Sequence, residues 1–233
     1  MIERVVITGA SGSIGGACVA AFQAVGAEVL GVGEDDRSEA DENLILDLAQ
    51  PDCGARLADH LGDRRVDVLV NNAAVGHARP AIETGSEEFD RLMAVNLRAP
   101  FLLSVALYPG LRASLGSIVN VGSVHAVATS APASVYAASK GGLASLTRSL
   151  AVEWGPEVRV NCVLPGAVDS PMLADGLARA GRSLESFGAS HAVGRVGRPE
   201  EIADAIVFLA TNRYLTGTSL IIDGGATARL STE

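Results

Sequence analysis

The 233 residues, 48% hydrophobic and 19% charged with 26 glycines, predict one globular α/β domain over 1–233 with a single sizeable core, and exclude a disordered or fibrous chain. A formal charge of −9 repels a phosphate backbone, which proteins grip through clustered Lys and Arg, so nucleic acid is not an expected partner. No uninterrupted apolar run approaches the roughly 18 residues of a membrane span, and Glu3 and Arg4 interrupt the place where a secretory signal would lie. The expected setting is therefore the cytoplasm, with no membrane partner.

Along the chain, short β-branched runs alternate with longer stretches of helical period, the pattern of βαβ units around a parallel sheet. Strands are predicted at 4–8, 28–32, 44–46, 66–71, 117–121, 158–163 and 219–223. Helices are predicted at 14–25, 86–107, 134–154 and 200–210, the last opened by Pro199, a residue suited to a first helical turn. Residues 170–194 fit neither pattern and are expected to form a loop with one or two short helices over a binding site. Cys18, Cys53 and Cys162 lack a C-x-x-C pairing and read as buried small hydrophobes in a reducing compartment. His60, His77, His125 and His191 lack ligand spacing, so no metal is expected.

The first strand runs straight into Thr8-Gly9-Ala10-Ser11-Gly12-Ser13-Ile14-Gly15-Gly16 and then a helix. Small residues there let the backbone approach a pyrophosphate, and a helix N-terminus supplies unpaired N–H donors with a partial positive charge. Glycines serving only a tight turn are the alternative. Farther on, Tyr136 and Lys140 lie four apart on a predicted helix and so share one face. A free phenol, with a pKa near 10, is only about 0.1% ionised at neutral pH. Positive charge beside it favours the phenolate, and lowering its pKa by two or three units corresponds to roughly 3 to 4 kcal/mol. Tyr136 could then take or give a substrate proton.

In these motifs the chain resembles the short-chain dehydrogenase/reductase family, in its compact single-domain form, over nearly its whole length. That resemblance implies an α/β, Rossmann-like, doubly wound, seven-stranded parallel sheet flanked by helices in a three-layer sandwich. Thr8, Gly9 and Gly15 fall where the family carries T-G-x-x-x-G-x-G, but Gly12 comes one position early and Ser13 takes the usual glycine site. The cofactor loop is then Gly9, Ser11, Gly12, Ser13, Ile14 and Gly15, with the two serines able to add hydroxyl donors. Glu34 is expected to accept from the adenosine ribose 2′-hydroxyl, with Asp35 or Asp36 as alternatives. A carboxylate there repels a 2′-phosphate, so NAD is the expected cofactor and NADP the alternative, Arg37 being the nearby cation that could reverse the preference.

The same resemblance places Asp47 and Leu48 beside the adenine, and Asn72, Ala73 and Ala74 against the cofactor, with Ala74 where the family has glycine. It places Pro165 and Gly166 under the nicotinamide, the Val168 amide on its carboxamide, and Ser170 where threonine is commoner. Ser123, thirteen residues before Tyr136, would hold the substrate oxygen. Tyr136 would be the general acid/base and Lys140 would tune it, both also touching the cofactor, while Asn96 would organise a water relay through Lys140. The implied reaction is hydride transfer between nicotinamide and a secondary alcohol or ketone, in a homotetramer or dimer built through the Tyr136 helix and the C-terminal strand. A non-catalytic nicotinamide-binding sensor is the alternative. His77 and His125 both follow strands at the carboxyl edge of the sheet, where open α/β folds bind ligands, and are candidate substrate contacts.

Overall fold

Strand pairing in the computed structural model, which describes residues 2–76, 79–179 and 181–229, follows the period-two alternation of the sequence. Val5 and Ile7 pack into one apolar cluster and Val6 into the other; Val68 and Val70 divide from Leu69 in the same way. The strands are β1 (Arg4–Thr8), β2 (Glu28–Gly33), β3 (Glu42–Ile45), β4 (Val68–Asn71), β5 (Ser117–Val121), β6 (Arg159–Pro165) and β7 (Ser219–Ile222). All pair in parallel, in the order β3-β2-β1-β4-β5-β6-β7. Both faces of the sheet are therefore covered, and the strands read as near-continuous Val/Ile/Leu.

Helices α1 (Ser13–Ala24) and α8 (Pro199–Thr211) pack together over one face. The other carries α2 (Cys53–Leu61), α4 (Ala99–Ser114) and α5 (Ser134–Trp154), with α3 (Ser86–Met93) packed on α5. This is the three-layer, doubly wound sandwich. Strand order reverses between β1 and β4, which lie side by side although β2 and β3 intervene in sequence, and a crevice opens at their carboxyl ends.

The structure corrects several sequence expectations. Helix α2 was not expected; Gly54 near its start reads as a breaker, but its missing Cβ is what admits α4, since a Cβ there would meet the Leu102 carbonyl oxygen at 2.7 Å. The third strand begins two residues earlier than predicted, at Glu42, and ends at Ile45, while the fourth begins two residues later, at Val68. The helix expected at 86–107 is three pieces: α3, a π-helical turn (Ala94–Arg98) and α4, which runs on to Ser114. The interruption thus falls before Pro100, which sits in the first turn of α4 where its missing N–H costs nothing. Residues 86–114 include an 18-residue stretch long and apolar enough to cross a membrane by length and composition, half of which is buried within the protein. The 170–194 segment forms two short helices, α6 (Pro171–Arg179) and α7 (Leu184–Gly188). His77 lies outside the described residues.

Candidate active site

The crevice is framed first by the turn between β1 and α1. Gly9 has φ +65°, a left-handed conformation that favours glycine, and an added Cβ would meet Ala73 Cα at 2.9 Å. Gly15 is more constrained still, because a Cβ there would lie 2.0 Å from the Gly9 carbonyl oxygen. Gly12 is the N-cap of α1 and makes no side-chain cap hydrogen bond, and the first turn carries no acidic residue. Ser13, the expected departure, is the first residue of α1 and Ile14 follows it into the helix. Among the described residues only Leu115 combines a side chain with positive φ, so Ser13 and Ala74 both occupy the family's glycine positions without backbone strain.

Thr8 ties this turn to β4. Its Oγ1 accepts hydrogen bonds from the Asn72 and Ala73 amides, each at 3.0 Å, while the Asn72 side-chain amide donates to the carbonyls of Thr8 (3.0 Å) and Gly9 (3.1 Å). Thr8 is part of the glycine motif in sequence, and its role comes from its buried hydroxyl, which joins two strand ends.

At the end of β2 the three carboxylates separate. Glu34 is exposed and pairs with Arg91 of α3 at 3.4 Å. Asp35 lies nearer the glycine loop: Arg37 donates to it from both side chain and backbone, and its carboxyl is held down at about 2, chiefly by Arg37 with a smaller contribution from the Ser11 side chain. Asp35, rather than Glu34, is thus the carboxylate beside the glycine loop. Beyond β3, Asp47 accepts from Gln50 Nε2 (2.9 Å) and the Ala49 amide (2.8 Å), contacts that hold its carboxyl below the usual range. Leu48 is buried in the core, not free on a surface.

Ser123, Tyr136 and Lys140 come together at the carboxyl end of β5. Ser123 is buried and caps a short 3-10 turn (Val124–Ala126), its Oγ accepting the His125 amide at 3.2 Å. Its side chain lies near enough to the Tyr136 phenol to exert a small downward pull on that group. Lys140 is 2% exposed; its Nζ donates to the Val121 carbonyl at 2.8 Å and stands 5.7 Å from the centre of the Tyr136 ring. Burial pushes the phenol up, against a smaller downward pull from Ser123. Burial also pushes the Lys140 ammonium down to about 8. Both shifts share one cause, the penalty on charge away from water, and in the chain alone this outweighs the expected stabilisation of phenolate by Lys140. A cation brought against the phenol would act in the opposite direction.

Asn96 sits in the π-helical turn, 1% exposed. Its Oδ1 accepts from the Val75 amide at 2.9 Å, and its Nδ2 donates to the Val75 carbonyl (3.0 Å) and Ser139 Oγ (3.2 Å), which in turn donates to the Tyr136 carbonyl at 2.7 Å. The carboxamide is thus spent on positioning the loop after β4 and the helix bearing Tyr136, with no direct bond to Lys140. The Ala99 amide reaches back five residues to the Ala94 carbonyl, so the wide turn displaces the carbonyls between them from ordinary α-helical pairing.

On the far side of the crevice, Pro165 ends β6 and the Gly166 amide donates to Ile222 at 2.9 Å. A Cβ on Gly166 would meet Asp223 Cα at 2.8 Å. Val168 forms an isolated parallel bridge with Gly197, whose hydrogen bonds run from Gly197 to Ala167 and from Asp169 to Gly197, each 2.9 Å. In a parallel bridge that pattern leaves the Val168 amide facing away and unspent. Ser170 caps α6, its Oγ accepting from the Leu173 amide at 3.2 Å; its hydroxyl proton stays available.

These features fit a nicotinamide dinucleotide. Absent Cβ atoms at Gly9 and Gly15 allow a close backbone turn, the uncapped N-terminus of α1 is suited to a diphosphate, and the Val168 amide is free for a carboxamide.

Comparison with known proteins agrees with this geometry. The family model described as enoyl-(acyl carrier protein) reductase matches residues 9–227. A short-chain type dehydrogenase/reductase of Sinorhizobium fredii is 39% identical over 95% of this chain, which spans 43% of that longer protein. L-xylulose reductase of Mesocricetus auratus is 36% identical, with 96% of each chain covered. The ligand-free structure of Thermoplasma acidophilum aldohexose dehydrogenase superposes with a TM-score of 0.95 at 31% identity, covering 100% of this chain and 96% of that one. Agreement at this level, extending from the glycine turn to the strand that closes the sheet, shows that the chain belongs to the short-chain dehydrogenase/reductase family of NAD(P)-binding oxidoreductases.

Proposed function

We propose that this chain is an NAD-dependent dehydrogenase/reductase that interconverts a secondary alcohol and a ketone. The observation that carries the reading is the gathering of buried Ser123, the Tyr136 ring and buried Lys140 at the carboxyl end of β5, with Lys140 Nζ 5.7 Å from the centre of the Tyr136 ring and His125 bridging Ser123 and Tyr136. Two hydroxyls at the same end of one strand can hold one substrate oxygen, Ser123 by hydrogen bonding and Tyr136 by exchanging the proton as that oxygen gains or loses it. Lys140 supplies a fixed positive charge beside the phenol, and Asn96 holds the helix and loop that aim the pair. When bound, the nicotinamide supplies the hydride acceptor or donor. The hamster and archaeal relatives, named as a xylulose reductase and an aldohexose dehydrogenase, are consistent with carbinol and carbonyl chemistry.

NAD is favoured over NADP because Asp35 and Glu34 both stand at the ribose end of β2 and the nearest cation, Arg37, is engaged by Asp35. Homo-oligomer formation, as a dimer or tetramer, is supported by exposed Phe101 and Val105 on α4 and Val152 on α5, and by Phe208 and Ile221 at the α8 and β7 edge. Buried, unpaired Cys18, Cys53 and Cys162 suit a cytoplasmic setting. The test is steady-state kinetics with both cofactors over a panel of secondary alcohols and ketones, with an enoyl thioester as control. Turnover of an alcohol or ketone with a lower KM for NAD is expected. A lower KM for NADP would overturn the cofactor preference, and reduction of the enoyl thioester alone would overturn the reaction.

A further inference from the structure

His125 has a conformation set by three contacts. Its amide donates to Ser123 Oγ at 3.2 Å, its Nδ1 pairs with Thr129 Oγ1 at 2.9 Å, and its ring meets the Tyr136 ring in a T-shaped contact, centroids 5.5 Å apart and planes at 80°. The backbone that fixes the candidate oxygen-holding serine therefore also fixes this imidazole, and the imidazole rests on the candidate proton-transfer group. Its Nε2 takes no hydrogen bond among the described residues. The neighbouring side chains of the 3-10 turn, Val124, Ala126 and then Val127, are apolar, so the imidazole is the polar side chain that this turn brings against Tyr136.

We propose that His125 is a specificity-determining residue whose Nε2 hydrogen-bonds a second hydroxyl on the substrate, one or two carbons from the reacting carbon, so that the preferred substrates are diols or polyols. The proposal rests on the dehydrogenase reading above. Two arguments select a hydroxyl. Thr129 Oγ1 also lies 3.5 Å from the Ser130 carbonyl. Where its proton goes there, His125 Nδ1 carries the ring proton and Nε2 accepts; where Thr129 donates to Nδ1, Nε2 donates. A hydroxyl satisfies either tautomer, whereas a carbonyl or carboxylate satisfies only one. In addition, burial pushes the imidazole below its ordinary value, which disfavours the full charge a carboxylate would call for.

The experiment compares cyclohexanol with trans-1,2-cyclohexanediol as NAD-dependent substrates of wild type, His125→Phe and His125→Asn, within a wider alcohol panel. Phenylalanine keeps an aromatic edge against Tyr136 and removes Nε2; asparagine keeps hydrogen bonding with shorter reach. Wild type is expected to favour the diol. His125→Phe should lose about tenfold in kcat/KM on the diol, mainly through KM, while cyclohexanol changes less than about twofold, and His125→Asn should fall between. Circular dichroism and NADH titration of each variant establish that it is folded and binds cofactor; should the Phe variant not fold, the Asn variant must lower the diol preference by itself. An unchanged diol-to-monoalcohol ratio in the folded variants, or oxidation of other alcohols with no preference for diols, overturns the His125 assignment and leaves the dehydrogenase reading standing. No NADH from any alcohol, and no NADH consumed with any ketone, overturns the dehydrogenase reading and the His125 assignment with it.

Discussion

Replacing Gly15 by alanine should damage the cofactor turn, while the same change at Gly12 should be tolerated. At Gly15 the new Cβ would stand 2.0 Å from the Gly9 carbonyl oxygen, 2.8 Å from its carbon and 2.9 Å from Ala10 Cα, all backbone. Gly9 cannot easily swing aside, because it is already left-handed and packed against Ala73. The start of α1 must therefore shift by about 1 Å relative to β1 to restore an ordinary contact. Alanine gains about 1 kcal/mol of helix propensity, but overpacking of this severity costs roughly 3 kcal/mol, a net loss of about 2 kcal/mol. For a chain of this size that lowers Tm by roughly 4 to 8 °C, and displaced amides at the helix terminus should weaken NADH binding at least tenfold, about 1.4 kcal/mol. At Gly12 the Cβ would meet the Gly9 oxygen at 3.3 Å, which a shift of a few tenths of an ångström relieves, so Tm should move by less than about 2 °C. Thermal melts by circular dichroism and NADH fluorescence titration read both quantities. Indistinguishable Gly15→Ala and Gly12→Ala variants would refute the reasoning.

The Lys140→Met variant should lose activity yet melt higher than wild type at pH 7. Burial lowers the Lys140 ammonium to about 8 from a free value near 10.4; the difference corresponds to about 3 kcal/mol, and losing the bond to Val121 returns about 1 kcal/mol, leaving a gain of about 2 kcal/mol. Between about pH 8 and 10.4 the unfolded chain binds more protons than the folded one, so wild-type stability should rise with pH relative to the Met variant and the gap should close; urea melts at pH 7 and pH 10 with an unchanged gap would contradict this. Thr8→Val keeps the side-chain shape but removes the acceptor of the Asn72 and Ala73 amides, and at about 1 to 2 kcal/mol for each orphaned donor it should cost about 2 to 4 kcal/mol in urea unfolding. A loss below about 0.5 kcal/mol would mean that the two amides find other partners.

Local patterns in the sequence carried much of this architecture. The seven strands and the helix bearing Tyr136 were legible because hydrophobic period and β-branching are properties of contiguous residues. The glycine turn was legible for the same reason, since Gly9 and Gly15 act on neighbouring backbone. Helix α2 was not legible because Gly54 looks like a breaker until α4 is seen lying against it. The π-helical turn around Asn96 was not legible as a break in the helix predicted at 86–107, because it is held by bonds from Asn96 to Val75 and Ser139, residues distant in sequence. Choosing Asp35 over Glu34 required knowing that Arg91 lies beside one and Ser11 beside the other. His125 could be put at the sheet edge from sequence, but its contact with Tyr136 depends on the 3-10 turn that follows β5.

The most direct test of the central claim is the rate of NADH formation at 340 nm from the best alcohol of the panel, wild type against Tyr136→Phe, with NADH affinity measured on both. Removing one hydroxyl while the ring and the cofactor turn stay in place should reduce kcat by at least about 100-fold and change NADH affinity by less than about threefold. A Tyr136→Phe variant that retains wild-type kcat would contradict the account, because the proton would then have to pass through a group other than Tyr136.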